Sequence, residues 1–257
     1  MPPLTLDLAG RITLITGASR LAGIGAAVAR IFADAGADIA FTHWTPYDRK
    51  DFGTTPSEPA ALADELRARG VRVEAIEMDL SDRDAPSALL DLVEERLGTV
   101  SILVNNAAVS VGDSFETITA ANLDQHYAVN VRAMALLSAE FARRFPGPEG
   151  GRIINMTSGQ GVGPMPTELS YITSKGAIEA FTTSFAFGVA PRGITVNAVD
   201  PGATDTGWMP DELKAAIARD NGFGRVGMPE DAARLILFLA SDAARWITGQ
   251  VLHSRGA

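Results

Sequence analysis

The chain has 257 residues, 46% of them apolar and 21% charged, which suits an ordinary globular protein and allows one large α/β domain. Its net charge of −9 excludes a broad nucleic-acid footprint, which needs a basic surface, and reads as solubility. The absence of Cys excludes disulfides and thiolate metal sites, and with no signal-like start at Met1–Gly10 and no apolar run of about 20 residues, a cytoplasmic protein without a membrane partner is expected.

Short apolar runs alternate with longer helical stretches. Strands are predicted at Ile12–Thr16, Asp38–Thr42, Val71–Met78, Ser101–Asn105, Arg152–Met156, Thr195–Val199 and Gln250–His253. Most are continuous Ile/Val/Leu runs, as parallel strands covered on both faces require. Helices are predicted at Ile24–Ala35, Ala60–Arg69, Ala85–Leu97, Leu123–Phe145, Tyr171–Ala190 and Glu230–Ser241. The alternation gives a single α/β domain of the Rossmann type, a doubly wound parallel sheet of about seven strands with helices on both faces. Gly36 and Gly70 stand where helices end, and Ser81 with Asp84 forms a capping arrangement ahead of the third helix. Two segments break the rhythm: 43–59, a long polar loop with Trp44 and Tyr47, and 203–227, a candidate lid.

Thr16-Gly17-Ala18-Ser19-Arg20-Leu21-Ala22-Gly23-Ile24-Gly25 joins the first strand to the first helix. A glycine turn there lets backbone approach a pyrophosphate, and the helix N-terminus adds unpaired N–H groups and a partial positive charge. The end of the second strand decides which dinucleotide fits, because a carboxylate there binds ribose hydroxyls whereas a base accepts an extra phosphate. It reads Phe41-Thr42-His43, with no carboxylate, and Thr42 and His43 can add hydrogen bonds. Asp38 lies at the strand's start, and Asp48, a rival, falls in the long loop.

Tyr171 and Lys175 are four residues apart on one helix face, and Ser158 lies thirteen residues before Tyr171, just past the fifth strand. In open α/β sheets that strand end faces the ligand crevice. Carbonyl reduction puts negative charge on oxygen as hydride reaches carbon, so a proton donor must lie within hydrogen-bond reach. A free Tyr titrates near 10, and a neighbouring cation lowers that value by favouring phenolate. Lys175 is the candidate cation, Tyr171 the donor, and Ser158 the hydroxyl that meets the developing charge. Asn130 alone reads as a mid-helix polar residue in need of a partner. His43, His126 and His253 lack ligand spacing, so no metal site is expected.

Together these motifs resemble the short-chain dehydrogenase/reductase family over nearly the whole chain. The glycine turn is similar to its Thr-Gly-x-x-x-Gly-x-Gly motif, with Leu21-Ala22 as two extra residues. Asn105-Asn106-Ala107-Ala108 resembles Asn-Asn-Ala-Gly, and Thr248-Gly249-Gln250 resembles Thr-Gly-Gln before the final strand. The usual Asp-Gly-Gly ending is replaced by His253-Ser254-Arg255-Gly256. The resemblance implies that Gly17, Ser19, Gly23, Ile24 and Gly25 hold the cofactor phosphates and that Asp79-Leu80 hold the adenine. It implies that Asn106, Ala107 and Ala108 lie along the cofactor, with Pro201-Gly202, Thr204 and Thr206 near the nicotinamide and phosphates. Lys175 would also hold the nicotinamide ribose beside Tyr171, and Asn130 would position a water beside the lysine. Arg20 matches a position often basic in NADP-preferring members, so NADP(H) is favoured, with NAD(H) as the alternative.

The implied activity is hydride transfer between nicotinamide and a small-molecule carbonyl or alcohol. Among subfamilies the chain looks most like bacterial 3-oxoacyl-acyl-carrier-protein reductases, which implies a substrate that could be carrier-bound and a homo-oligomer, tetramer or dimer. A carrier needs a basic docking patch, to which Arg143-Arg144 could contribute. Met165, Trp208, Met209 and Phe223 are candidates for an apolar pocket. A non-catalytic dinucleotide sensor on the same fold ranks second, because Ser158, Tyr171 and Lys175 are all present. An epimerase or dehydratase of the extended type ranks third, because the chain lacks room for a C-terminal substrate domain.

Overall fold

A computed structural model describes residues 6–53, 55–161 and 163–256. Seven parallel strands form one sheet in the order β3-β2-β1-β4-β5-β6-β7. They are β1 (Ile12–Ile15), β2 (Asp38–His43), β3 (Val73–Glu77), β4 (Ile102–Asn105), β5 (Gly151–Met156), β6 (Ile194–Asp200) and β7 (Val251–His253). The chain builds outward from β1 to β3, then returns to lay β4 against the other side of β1. That reversal opens a crevice above the C-terminal strand ends, where ligands of such sheets bind.

Strand side chains alternate between two cores. Ile15, Ile39, Phe41, Ile102, Val104 and Ile154 face α1 (Ile24–Asp34), α3 (Glu58–Arg67) and α9 (Pro229–Ala240). Leu14, Ala40, Leu103, Ile153 and Val196 face α4 (Ala85–Arg96), α6 (Met134–Arg144) and α7 (Leu169–Val189). Both faces are therefore dry, which explains the unbroken apolar runs.

Three expectations need correction. The polar stretch 43–59 is not a loop: it contains α2 (Thr45–Phe52) and the start of α3. Pro46 sits in the first turn of α2, where its missing N–H costs nothing, and Gly53 ends the helix at φ +65°. A polar helix with little apolar periodicity leaves no pattern to read. The helix predicted at Leu123–Phe145 begins earlier, as α5 (Ala120–His126), and runs through π-helical turns at Tyr127–Ala133 into α6. Ser81 and Asp84 form no side-chain cap on α4, because Asp84 is already helical and its N–H donates to Asp82 Oδ1.

The segment 203–227 is pinned at its ends, with Gly227 N donating to Ala203 O at 3.0 Å and Asp205 N to Gly227 O at 2.9 Å. Between these anchors, α8 (Asp211–Asp220) contributes no buried residue.

Candidate active site

The glycine turn packs too closely for side chains. Gly17 has φ +73°, and a Cβ there would stand 2.6 Å from Ala107 Cα. A Cβ on Gly25 would meet Gly17 O at 2.7 Å and Asn106 Nδ2 at 2.8 Å. Asn106 locks the turn by donating from Nδ2 to Thr16 O and Gly17 O, at 2.9 and 2.8 Å. Thr42 accepts from Gly17 N through Oγ1 at 3.0 Å, which ties β2 to the turn.

The inserted Leu21-Ala22 has its own anchor: Leu21 N donates to Glu58 Oε2 at 2.9 Å, and Arg30 Nη1 donates to Leu21 O at 2.8 Å. Both bonds hold the pair from outside the glycine motif. No side chain caps α1 and no acid occupies its first turn, so its leading N–H groups face the crevice free to meet an anion.

The crevice has a volume of about 850 Å³. Of the residues expected at a cofactor site, Gly17, Ser19, Arg20, Gly23, Ile24, Gly25, Thr42, His43, Asp79, Leu80, Asn106, Ala107, Ala108, Tyr171, Pro201, Gly202, Thr204 and Thr206 all border it. Lys175 does not; it lies behind Tyr171. The volume, the bare helix N-terminus and the close-packed glycines fit a dinucleotide.

At the far end α2 contributes residues that sequence reasoning placed in a loop. Asp48 is buried, with Oδ1 3.8 Å from Arg20 Nε, and hydrogen-bonds the Ser19 side chain. Burial raises its titration above the usual carboxylate range, while Ser19 and Arg20 oppose that shift. Arg20 spans the crevice, donating from Nη1 to Thr206 O at 3.0 Å, so it joins the turn to the segment 203–227. Tyr47 makes a second bridge, accepting from Ser110 N at 3.1 Å. Only the aromatic and acidic character of 43–48 hinted at these contacts. Asp38, at the opposite end of β2, pairs with Arg72 at 2.6 Å.

Ser158, Tyr171 and Lys175 converge at the C-terminal end of β5. Tyr171 hydrogen-bonds the Ser158 side chain. Lys175 Nζ donates to Met156 O at 2.8 Å and lies 5.4 Å from the Tyr171 ring centroid. Burial pushes the Lys175 ammonium down to about 8. Tyr171 is not lowered as expected; burial pushes it up to about 12, with Ser158 opposing and the Glu168 and Asp200 charges adding to the rise. Withdrawal of the phenol from water outweighs the cation beside it.

Asn130 is buried in the π-helical turns. It accepts from Val109 N at 2.7 Å and donates to Val109 O and Ser174 Oγ, both at 2.9 Å. Its amide therefore fastens the loop after β4 to α7, one residue from Lys175.

The remaining candidates divide. Met165 and Trp208 line the crevice, whereas Met209 is buried elsewhere and Phe223 borders a second cavity of about 360 Å³. Arg143 pairs with Glu140, and Arg144 with Asp91, Glu94 and Glu140, so neither charge is uncompensated. His126 is held structurally between Asn122 O and Val111 N. No group of acids or histidines among the described residues could hold a metal ion, and no described helix is long and apolar enough to cross a membrane.

Residues 17–256 match the family model described as Enoyl-(Acyl carrier protein) reductase. The chain is 49% identical over 251 residues to the Uncharacterized oxidoreductase YjdA of Bacillus subtilis (strain 168), covering 96% of each. It is 31% identical to the 3-oxoacyl-[acyl-carrier-protein] reductase FabG of Aquifex aeolicus (strain VF5), covering 98% of each. It superimposes with a TM-score of 0.87 on the blue fluorescent protein from a metagenomic library, solved in complex with NADPH, at 32% identity and covering 97% of this chain and 98% of that one. Both the arrangement at the strand ends and these likenesses lead to one conclusion: the chain belongs to the short-chain dehydrogenase/reductase family of oxidoreductases.

Proposed function

We propose that the protein is an NADP(H)-dependent reductase of small-molecule carbonyls, running in reverse as a secondary-alcohol dehydrogenase. The observation that carries this reading is the Tyr171 phenol hydrogen-bonded to Ser158, with Lys175 Nζ 5.4 Å from its ring, inside the dinucleotide-sized crevice. The bound nicotinamide supplies the hydride. Ser158 then donates a hydrogen bond to the carbonyl oxygen as charge develops there, and Tyr171 gives that oxygen its proton. Lys175 stabilises the phenolate left behind, and its buried position makes that charge count more than it would in water. Asn130 acts as a positioning residue through Ser174 and the Val109 loop.

Arg20 and His43 at the adenosine end support NADP(H), as does the NADPH found in the fluorescent-protein relative. Asp48 favours a second reading, NAD(H), because a carboxylate beside Ser19 can accept from ribose hydroxyls. Substrates free in solution are preferred over carrier-bound ones, since Arg143 and Arg144 are spent on intramolecular pairs. A 3-oxoacyl thioester remains a substrate to test because of the Aquifex relative. Phe187 and Trp246, each at least 90% exposed, support a dimer or tetramer, to be checked by light scattering. A reducing cytoplasm suits a chain without Cys.

The test follows absorbance at 340 nm with NADPH and NADH against a panel of ketones and a 3-oxoacyl thioester. NADPH turnover at least tenfold above NADH is expected, and Asp48→Asn should widen the gap by relieving repulsion of the extra phosphate. Faster NADH turnover would reverse the cofactor assignment. Tight dinucleotide binding without turnover of any carbonyl would establish a sensor instead.

A further inference from the structure

The C-terminal segment brings a charged group to the crevice that the proton-transfer residues do not use. Asp200 ends β6 with its side chain fully buried. Its Oδ1 accepts from Gly202 N at 2.9 Å, and its Oδ2 accepts from His253 Nδ1 at 2.8 Å. Ser254 N donates to Asp200 O at 2.7 Å, so the carboxylate and its backbone hold both the Pro201-Gly202 turn and the chain end. A buried carboxylate demands compensation, and Arg255 provides it at 3.8 Å.

That anchoring fixes where the Arg255 guanidinium stands. Its stem packs on Gly202, where a Cβ would come within 3.0 Å of Arg255 Cγ, and its Nη1 lies 3.4 Å from the place of a Cβ on Gly159. The guanidinium therefore edges the crevice one residue past Ser158. At 3.8 Å the Asp200 contact is an ion pair but too long for a hydrogen bond, and Arg255 makes no hydrogen bond to any described residue. Its donors are unspent in a wall where only about a third of the side chain is exposed.

The surrounding charges leave room for an anion there. Glu168 lines the crevice on the α7 side, and burial raises its titration while His126 opposes that shift. Asp48 and Asp79 lie at the adenosine end. Val109, Val129, Met165 and Trp208 add apolar surface to the crevice lining, beside the uncharged Ser110 and Gln125.

We propose that Arg255 is a specificity-determining residue, whose guanidinium takes a carboxylate or phosphate on a carbonyl substrate with an apolar body. The inference rests on carbonyl reduction as the reaction, and the test separates the two.

The probes are 4-acetylbenzoate, 4-acetylphenyl phosphate and the neutral methyl 4-acetylbenzoate, with NADPH as reductant. Wild-type kcat/KM should favour the anions over the ester. In Arg255→Gln the anion-to-ester ratio should fall about 10- to 100-fold, mainly through KM, the range expected for a lost charge-assisted hydrogen bond. Arg255→Lys should recover part of the ratio, and matched thermal midpoints show that the tail stays folded. The carboxylate and phosphate arms show which anion fits better, and a preference for either supports the proposal. Turnover of the ester with no anion preference, or an unchanged ratio in Arg255→Gln, overturns the proposal while carbonyl reduction stands.

If no ketone reacts, benzoate binding to the NADP⁺-loaded protein, read by Trp208 fluorescence, still decides the point. Binding weakened at least tenfold by Arg255→Gln supports it, and unchanged binding refutes it. Where the ester does react, benzoate inhibition that is not competitive with it would place the anion in the neighbouring 360 Å³ cavity, which Arg255 also borders, and would overturn the assignment.

Discussion

Replacing Lys175 by Met should make the protein more stable near neutral pH while abolishing its activity. Lys175 is buried, and its ammonium falls from the ordinary 10.5 to about 8 on folding. At about 1.4 kcal/mol per pKa unit, holding the charge inside costs about 3 kcal/mol at pH 7. Met removes that cost but leaves Met156 O without the 2.8 Å bond from Nζ, a loss of about 1–3 kcal/mol. The balance is a gain of about 1 kcal/mol, which for a chain of this size raises the melting temperature by about 2–4 °C. The sign has a pH signature. Between about 8 and 10.5 the unfolded lysine is protonated and the folded one is not, so wild-type stability rises with pH through that window. The Met variant lacks this rise. Its advantage should be lost by about pH 9 and turn into a deficit of about 2 kcal/mol at pH 10.5, where the wild type has shed the buried charge and keeps its bond to Met156 O. Calorimetry of both proteins at pH 7, 9 and 10.5 measures the difference directly, with all other titrations cancelling. A variant less stable at pH 7, or an advantage that does not shrink on raising the pH, would refute the argument from buried charge.

Tyr171→Phe should lower kcat by about 10²- to 10⁴-fold while leaving dinucleotide affinity within a few-fold, as steady-state kinetics and a binding titration would show. Gly17→Ala forces a Cβ into Ala107 at φ +73°, so a loss of about 2–4 kcal/mol in urea unfolding is expected, together with weaker dinucleotide binding. Glu58→Ala frees Leu21 N and untethers the inserted pair, which should raise the dinucleotide KM several-fold at a stability loss near 1 kcal/mol. An unchanged KM would mean that the insertion holds its shape without α3.

What could be read from the sequence follows the physics of each element. The seven strands are legible because burial on both faces strongly favours apolar residues, as in the run Ile102–Val104. The Ser158, Tyr171 and Lys175 group is legible because its spacing projects onto a helix face and a strand end that the topology brings together. Helix α2 is illegible for the opposite reason: Thr45–Phe52 is mostly polar with no apolar stripe, and its role depends on Tyr47 meeting Ser110, 63 residues away. The titration of Tyr171 is not legible, because sequence names the neighbouring cation but not the depth of burial, and depth sets the larger effect.

The same reasoning explains how the turn tolerates its two extra residues. A longer glycine turn would ordinarily loosen the phosphate site, because each added residue widens the backbone's choices. Here the addition is fixed from outside the motif, by Glu58 on α3 and Arg30 on α1, whose guanidinium also chelates Glu65. The residues that must pack closely, Gly17 and Gly25, keep their contacts with Ala107 and Asn106. The insertion therefore changes the outer wall beside Arg20 and Asp48 and leaves the close packing of Gly17 and Gly25 intact. Differences from relatives with the shorter turn should accordingly appear in discrimination at the adenosine ribose rather than in the rate of hydride transfer. A variant lacking Leu21-Ala22 tests this division: the NADPH-to-NADH ratio should move several-fold while kcat under saturating cofactor changes little. A collapse of kcat with an unmoved ratio would show that the insertion shapes the nicotinamide end instead.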